Sequence, residues 1–432
     1  MVYIDTVRAR MILDSRGYPT VECDVQLDDG SIGRAAVPSG ASTGSREALE
    51  LRDGGEAWSG KGVSRAIAHI TDDIRPLLEG QDPFDQAAID SRMCQADGTD
   101  NKANFGANAI LAASLAVAKS AAASSGIPLH QYIASIAGTT HQQSLPLPMI
   151  NIENGGAHAG FATDIQEYMI VCRGAKDFEQ SIQMGVGVFH ALADVLKERG
   201  YPTTVGDEGG YAPRVQGGNR EPLELISLAV ARAGYELGRD VGLALDVAAS
   251  ELYRDGAYDL RCENKRLDSG EMIAWLSELA SEFPILSIED GLAEDDWDGW
   301  TQLTTALGDR VQLVGDDLLV TNTVFLERAI EQRAANAILV KLNQIGTLSE
   351  TIRVVTRARQ AGWRTIISHR SGETEDTTIA HLAVGLDAGQ IKTGSLSRSE
   401  RLAKYNELLR IHEAMPDLKL ARPITHDTNA NT

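Results

Sequence analysis

The stretch Ile338-Leu339-Val340-Lys341-Leu342-Asn343-Gln344-Ile345 places one lysine in a run that otherwise reads as a strand buried on both faces. Strands of that kind belong to parallel sheets covered by helices on each side. Lysine is rarely put there for stability. Burial disfavours an ammonium, and a nearby cation lowers its pKa further. Lys341 is therefore expected to offer a neutral amine near pH 7, able to abstract a proton or form a Schiff base. The plainer reading is a strand-end lysine whose amine snorkels into solvent. The neighbouring runs decide between the two.

Working outward, each apolar run of the second half ends in ionisable or polar residues. Leu243-Ala244-Leu245 ends at Asp246, Ile285-Leu286-Ser287-Ile288 at Glu289, and Val311-Gln312-Leu313-Val314-Gly315 at Asp316. The run Thr365 to Ser368 ends at His369-Arg370-Ser371, and Gln390-Ile391 at Lys392. From Glu289 onward these positions recur roughly every 25 residues, room for one strand, one helix and two loops, so six βα units follow one another. In a β/α barrel the C-terminal strand ends converge on one face, which would gather these side chains around one pocket. A single acid after a strand is commonly a helix cap or first-turn carboxylate. Three in succession, followed by two lysines and a His-Arg pair, are not accounted for by capping.

Three carboxylates on successive strands supply hard oxygen ligands without sulfur or clustered imidazoles, which favours Mg²⁺ or Mn²⁺ over Zn²⁺. Lys341, Arg370 and Lys392 bring positive charge to the same face, and a guanidinium fork suits phosphate or carboxylate. The expected substrate is small and multiply negative. A metal beside such a lysine specifies proton abstraction α to a carboxylate, with the cation holding the enediolate, followed by elimination or racemisation. Elimination calls for a general acid, and Glu167 and Glu208, both in polar, Gly-adjacent contexts, are the candidates.

The N-terminal part is different. Val21, Cys23, Val25 and Leu27 alternate with Glu22, Asp24 and Gln26, and Asp28-Asp29-Gly30 supplies a turn, which together predict a half-buried antiparallel hairpin. From Arg46 to about Ala137 the period becomes helical, with Ile67, Ile70, Ile74 and Leu78 on one face and an Ala-rich helix from Ala107 to Ser124. Residues 1–137 thus read as an α+β domain and 138–432 as the β/α barrel. Pro38-Ser39-Gly40-Ala41-Ser42-Thr43-Gly44 lacks the lysine of a P-loop and is either a surface turn or a lid closing over a site. Tyr201 to Ala212, which contains Gly206-Asp207-Glu208-Gly209-Gly210, reads as a functional loop between helices.

With 61 acidic against 40 basic residues in 432, the formal net charge of -21 repels nucleic acid and anionic membrane surfaces. The apolar stretch Ala109 to Ala118 is short for a bilayer span, and the first residues lack the pattern of a secretory signal. Four dispersed cysteines without CxxC spacing fit a reducing compartment. A cytoplasmic protein with neither nucleic acid nor membrane as its primary partner is expected.

These residues sit in longer motifs. They include Asp14-Ser15-Arg16-Gly17, Asn154-Gly155-Gly156 with His158, Gln166-Glu167, Gly206 to Pro213, Ser287-Ile288-Glu289-Asp290, Gly315-Asp316-Asp317-Leu318, Ser368 to Asp376 and Gly389 to Gly394. In that order, and along nearly the whole chain, the sequence resembles the enolase family. The resemblance implies an α/β fold, an enolase-type ββαα(βα)6 barrel preceded by a small α+β (β3α4) domain, with Met149-Ile150 and Met169-Ile170 in the two leading strands. It implies phosphopyruvate hydratase activity, the reversible dehydration of 2-phospho-D-glycerate to phosphoenolpyruvate in glycolysis, with two Mg²⁺ ions. Asp246, Glu289 and Asp316 would bind the first metal and Ser42 the second. Lys341 would take the C2 proton, and Glu208, supported by Glu167, would protonate the departing hydroxyl. His158, His369, Arg370, Ser371 and Lys392 would hold the phosphate and carboxylate of the substrate. The family also implies a homodimer or an octamer of dimers, with an intersubunit Arg10–Glu400 ion pair, and a leaderless fraction at the cell surface.

Tyr18, Glu153, Phe161 and Arg214 depart from the family pattern: Glu153 stands where an aliphatic residue is usual, and Phe161 where a small or polar one is. They leave room for a paralogue that dehydrates a 2-phosphoglycerate analogue in phosphonate metabolism, such as a carboxyphosphonoenolpyruvate synthase. A non-catalytic structural role would go with a degenerate catalytic set, and the set here is intact.

Overall fold

The computed structural model describes residues 1–40, 44–156 and 160–422. Alternation in the first strands produces an antiparallel sheet of β1 (Ile4–Leu13), β2 (Pro19–Leu27) and β3 (Ile32–Ala36), in that order. Val21, Cys23, Val25 and Leu27 are buried, while Glu22 and Asp24 lie half-buried on the other face. The helix Ala107–Ser124 packs on the buried face. Its small side chains permit contact so close that a Cβ on Gly33 would lie 2.1 Å from the Ala116 carbonyl oxygen. By length and composition that helix could cross a membrane, but 83% of it is buried inside the protein. Helical segments Ser64–Leu78, Gln86–Asp97 and Leu129–Ala137 complete the domain, the first passing through a π-type turn at Ile70–Ile74.

The remainder is a closed eight-stranded barrel. It begins with β4 (Leu147–Asn154), β5 (Glu167–Val171) and β6 (Gly242–Asp246). A small sheet of β7 (Tyr253–Arg254), β8 (Ala257–Leu260) and β9 (Lys265–Leu267) then projects after β6. The barrel resumes with β10 (Ile285–Glu289), β11 (Gln312–Gly315), β12 (Ala337–Val340), β13 (Arg364–Ser368) and β14 (Gly389–Lys392), which closes on β4. Strand β5 runs antiparallel to both neighbours, and every other adjacent pair is parallel. Helices Phe178–Glu198 and Glu221–Arg232 separate β5 from β6, and one main helix follows each later strand, giving the order ββαα(βα)6. The later strands are apolar along most of their length because helices cover the outside while side chains fill the inside.

Register puts the charged strand ends at one level. Glu289 pairs with Asp246, Asp246 with Glu167, and Glu167 with Asn154, while Ser368 pairs with Lys392. A one-residue slip would turn each acid out of the barrel. Arg10, expected in an intersubunit pair with Glu400, is engaged within its own sheet by Glu22 at 2.6 Å and by Asp24, and Glu400 accepts from Arg398 at 2.9 Å.

Candidate active site

At the C-terminal rim of the strands, Glu167, Glu208, Asp246, Asp316, Lys341, His369, Arg370, Ser371 and Lys392 line one polar cavity. Glu289 joins them through Lys392. Ser42 and His158 lie outside the described residues.

Lys392 stands at the end of β14 among three acids. Its Nζ donates to Asp246 Oδ2 at 2.8 Å and Glu289 Oε1 at 2.9 Å, with Glu167 Oε1 at 3.3 Å. Burial pushes this amine down, but the carboxylates outweigh it and hold the ammonium well above the usual lysine range. Glu289 is pushed well up, by burial first and by Asp246 next, and its Oε2 is buried without a hydrogen-bond partner among the described residues.

Lys341 ends β12 and heads the short helix Leu342–Ile345. Its backbone N–H donates to Thr321 Oγ1 at 2.9 Å, and its Nζ reaches Asp316 Oδ2 at 2.5 Å. Gln344 donates from Nε2 to the other oxygen of Asp316 at 2.9 Å and accepts at Oε1 from the Thr321 hydroxyl at 2.7 Å, so one small network sets both residues. The expected lowered pKa of Lys341 is not found. Burial, Arg370 and Lys392 push it down, yet Asp316 and Glu289 leave it raised. Cations near the lysine are visible in the sequence, but the carboxylate that bonds it directly comes from the neighbouring strand.

Across the barrel, the Glu208 loop folds back so closely that a Cβ on Gly209, at φ +87°, would lie 2.7 Å from the Ser397 carbonyl oxygen. Asn151 on β4 donates from Nδ2 to Glu167 Oε2 at 3.1 Å and Glu208 Oε2 at 3.2 Å, bridging the two acids. Burial, and next the neighbouring Glu208, hold the Glu167 carboxyl well above its usual range. His369 is kept neutral by burial, its pKa well below the ordinary value. Buried Arg401 donates to His369 Nδ1 at 2.7 Å and to the Arg370 and Ser371 carbonyls, each at 2.5 Å. An acceptor Nδ1 leaves the proton on Nε2, which lies 3.9 Å from Glu208 Oε2.

Asn151 and Arg401 escaped the sequence reading. Arg401 had a signal: it shares one helical face with Lys404, Tyr405 and Leu408, and charges on a buried stripe ask for a partner. A third residue that escaped, Glu47 from the N-terminal domain, takes Arg370 in a fork at 2.8 and 3.2 Å.

The donor set suits a hard divalent cation. Carboxylate oxygens of Asp290, Asp316 and Asp317 lie within 4.8 Å of one another, a set shifted from the expected Asp246, Glu289 and Asp316. Asp246 and Glu289 close on Lys392 instead, and Glu289 Oε2 is a buried acceptor with no hydrogen-bond partner among the described residues. Asp290 is turned to orient its neighbours, its two oxygens accepting from the Asp316 and Asp317 backbone N–H groups at 2.9 Å each.

A β/α barrel that gathers acids, lysines and a neutral histidine on its C-terminal rim has the layout of an enzyme, of the lyase type. Family comparison agrees. The enolase N-terminal domain matches residues 4–133 and the enolase C-terminal TIM barrel domain matches residues 142–421, so the chain belongs to the enolase family.

Proposed function

We propose that the protein is a phosphopyruvate hydratase, which reversibly dehydrates 2-phospho-D-glycerate to phosphoenolpyruvate. One observation carries the reading. Lys341 ends β12 while Glu167 begins β5, and these strands are diametrically opposed in the closed order β10-β11-β12-β13-β14-β4-β5-β6. A substrate between them has a base on one face and an acid pair on the other, the arrangement an elimination needs.

The residues have distinct tasks. Lys341, as free amine, takes the proton from C2. Glu208, held against Glu167 by Asn151, delivers a proton to the departing C3 hydroxyl, and the raised pKa of Glu167 keeps a proton available in the pair. Arg370, Ser371, Lys392, His369 and His158 hold the phosphate and carboxylate. Asp246, Glu289 and Asp316 would hold one Mg²⁺ and Ser42 would serve a second. When bound, such ions supply positive charge for the enediolate carboxylate. Lys341 would act as base once Asp316, which now bonds its amine, were engaged elsewhere.

We further place the protein in the cytoplasm, as a homodimer or an octamer of dimers acting on a small phosphorylated carboxylic acid. Phe161 favours a second reading, that of a paralogue acting on a 2-phosphoglycerate analogue. The ring stands 41% exposed in the loop after His158, beneath the Arg261 guanidinium at 5.2 Å. A steady-state assay with Mg²⁺ decides: turnover of 2-phosphoglycerate at ordinary enzyme rates supports the first reading. Negligible turnover, with rapid turnover of a carboxyphosphono analogue, overturns it in favour of the second.

A further inference from the structure

Glu153 is a buried carboxyl with no task in the reaction above. It is 1% exposed, and its Oε2 has no hydrogen-bond partner among the described residues. It lies where the β4–β5 register shifts, between Asn151 and Glu153. On one side of that shift is the Asn151 amide that bridges Glu167 and Glu208. On the other, the segment carrying Glu208 is stitched to β4: Tyr211 N–H donates to the Ile152 carbonyl at 3.0 Å, Asn154 N–H donates to the Tyr211 carbonyl at 2.7 Å, and Glu153 itself bridges with Tyr211. Both acids of the site therefore depend on the few residues around Glu153.

The groups set against it offer no countercharge. Tyr168 of β5 faces it in the ladder and gives its hydroxyl proton to the Asn219 carbonyl. Glu221, which heads the helix Glu221–Arg232, is an acid occupied by the Tyr201 hydroxyl and the Gln216 and Gly217 N–H groups. Beyond Tyr168 stand Asp164 and Cys262, and Asp164 accepts from the Arg261 and Cys262 backbone N–H groups. Tyr211 stacks on Phe189 with centroids 4.4 Å apart.

We propose that Glu153 is a positioning residue: as a neutral carboxylic acid it keeps closed the seam between β4 and the Glu208 loop, and its ionisation opens that seam. An isolated carboxylate at this depth is too costly to persist without water or a cation, so the charged form must loosen what covers it. Burial pushes the carboxyl up to about 8, so the change falls at mildly alkaline pH. The link to catalysis rests on Glu208 and Glu167 acting as the proton donors, whereas the seam does not depend on that reading.

The test compares the full-length protein with Glu153→Leu and with Glu153→Gln, which keeps the shape and removes the titration. Denaturant midpoints without substrate are measured from pH 5 to 9.5. An ordinary carboxyl near 4.5 in the unfolded chain and one near 8 in the folded chain mean that the folded state holds the extra proton between those values. The wild type then loses stability relative to both variants as pH rises across that window, and the gap levels off above it. A gap that does not change with pH overturns the proposal. Amide hydrogen exchange at Gly206, Tyr211 and Asn154 is followed over pH 7 to 9, corrected for the intrinsic rate. Protection should fall at least tenfold in the wild type only, and equal protection in wild type and variants overturns the positioning role. In the kcat profile, an alkaline inflection should be present in the wild type and absent from both variants. If the stability and exchange results appear without that inflection, the seam stands and the assignment of Glu208 as the acid falls.

Discussion

Two lysines face the same cavity in opposite circumstances. Lys392, on the β14 side, is shared by Asp246, Glu289 and Glu167, while the amine of Lys341, on the β12 side, has a single direct bond among the described residues, to Asp316, and is repelled by Arg370 and Lys392. A lysine bonded by several buried carboxylates is a fixed countercharge. One bonded by a single carboxylate gives up its proton once that carboxylate finds another partner. The contrast fits the proposed proton-transfer role of Lys341 and gives Lys392 a charge-balancing place, although both stand at barrel strand ends in similar sequence surroundings.

Substituting each lysine tests that contrast most severely. Lys341→Ala should lower C2 proton exchange with solvent by roughly 10⁴-fold, at the upper end of what general-base removal costs, with Mg²⁺ affinity little changed by isothermal titration. Retained exchange would remove Lys341 from the role of base. Lys392→Met should instead act on folding: stranding three buried carboxylates costs about 3–5 kcal/mol in denaturant unfolding, and part of that loss should return with millimolar Mg²⁺. If Lys392→Met leaves stability untouched and abolishes only exchange, the two roles are reversed.

The acid side is tested next. Glu208→Gln should slow overall dehydration by roughly 10²-fold while leaving C2 exchange measurable, because exchange needs the base and not the acid. Equal loss of both would show that Glu208 does more than donate a proton. The smallest effect concerns the joint between the domains. Burial raises Asp376, but Lys119 at 2.7 Å, the Thr378 hydroxyl and the Ala36 N–H outweigh it and hold its pKa at about 2. With a folded pKa below the ordinary 3.8, this stabilisation is complete above about pH 4 and is lost as pH falls toward 2. It amounts to about 2 kcal/mol in total. Lys119→Met should remove it, so acid unfolding curves of variant and wild type should converge at the acid end.

Much of this was legible in the chain because a parallel barrel writes its order into the sequence. Each strand is an apolar run, each run ends at the rim, and Asp246, Glu289, Asp316, Lys341 and Lys392 mark the ends. The alternation in β2 is equally plain. Contacts made at long range were not legible. Glu47 and Arg370 are more than 300 positions apart, and the Asn151 amide looks like any polar strand residue until Glu167 and Glu208 are brought to it. The pKa direction of Lys341 escaped for the same reason: it depends on which of several nearby charges bonds the amine, and periodicity cannot rank them.

If Arg370 holds a substrate anion as proposed, its fork with Glu47 makes the N-terminal domain an internal competitor. A phosphate or carboxylate that binds through Arg370 meets an arginine already carrying an anion, tethered at a high effective concentration. Its apparent affinity is reduced by the fraction of molecules in which that arginine is released. Occupancy of the cavity is thereby linked to the grip of the small domain on the barrel. A substrate that displaced Glu47 from Arg370 would leave that carboxylate with Gln344 Nε2 at 3.2 Å and the Gly44 N–H at 3.0 Å, so a filled site would weaken one of several bonds at the joint between the two domains.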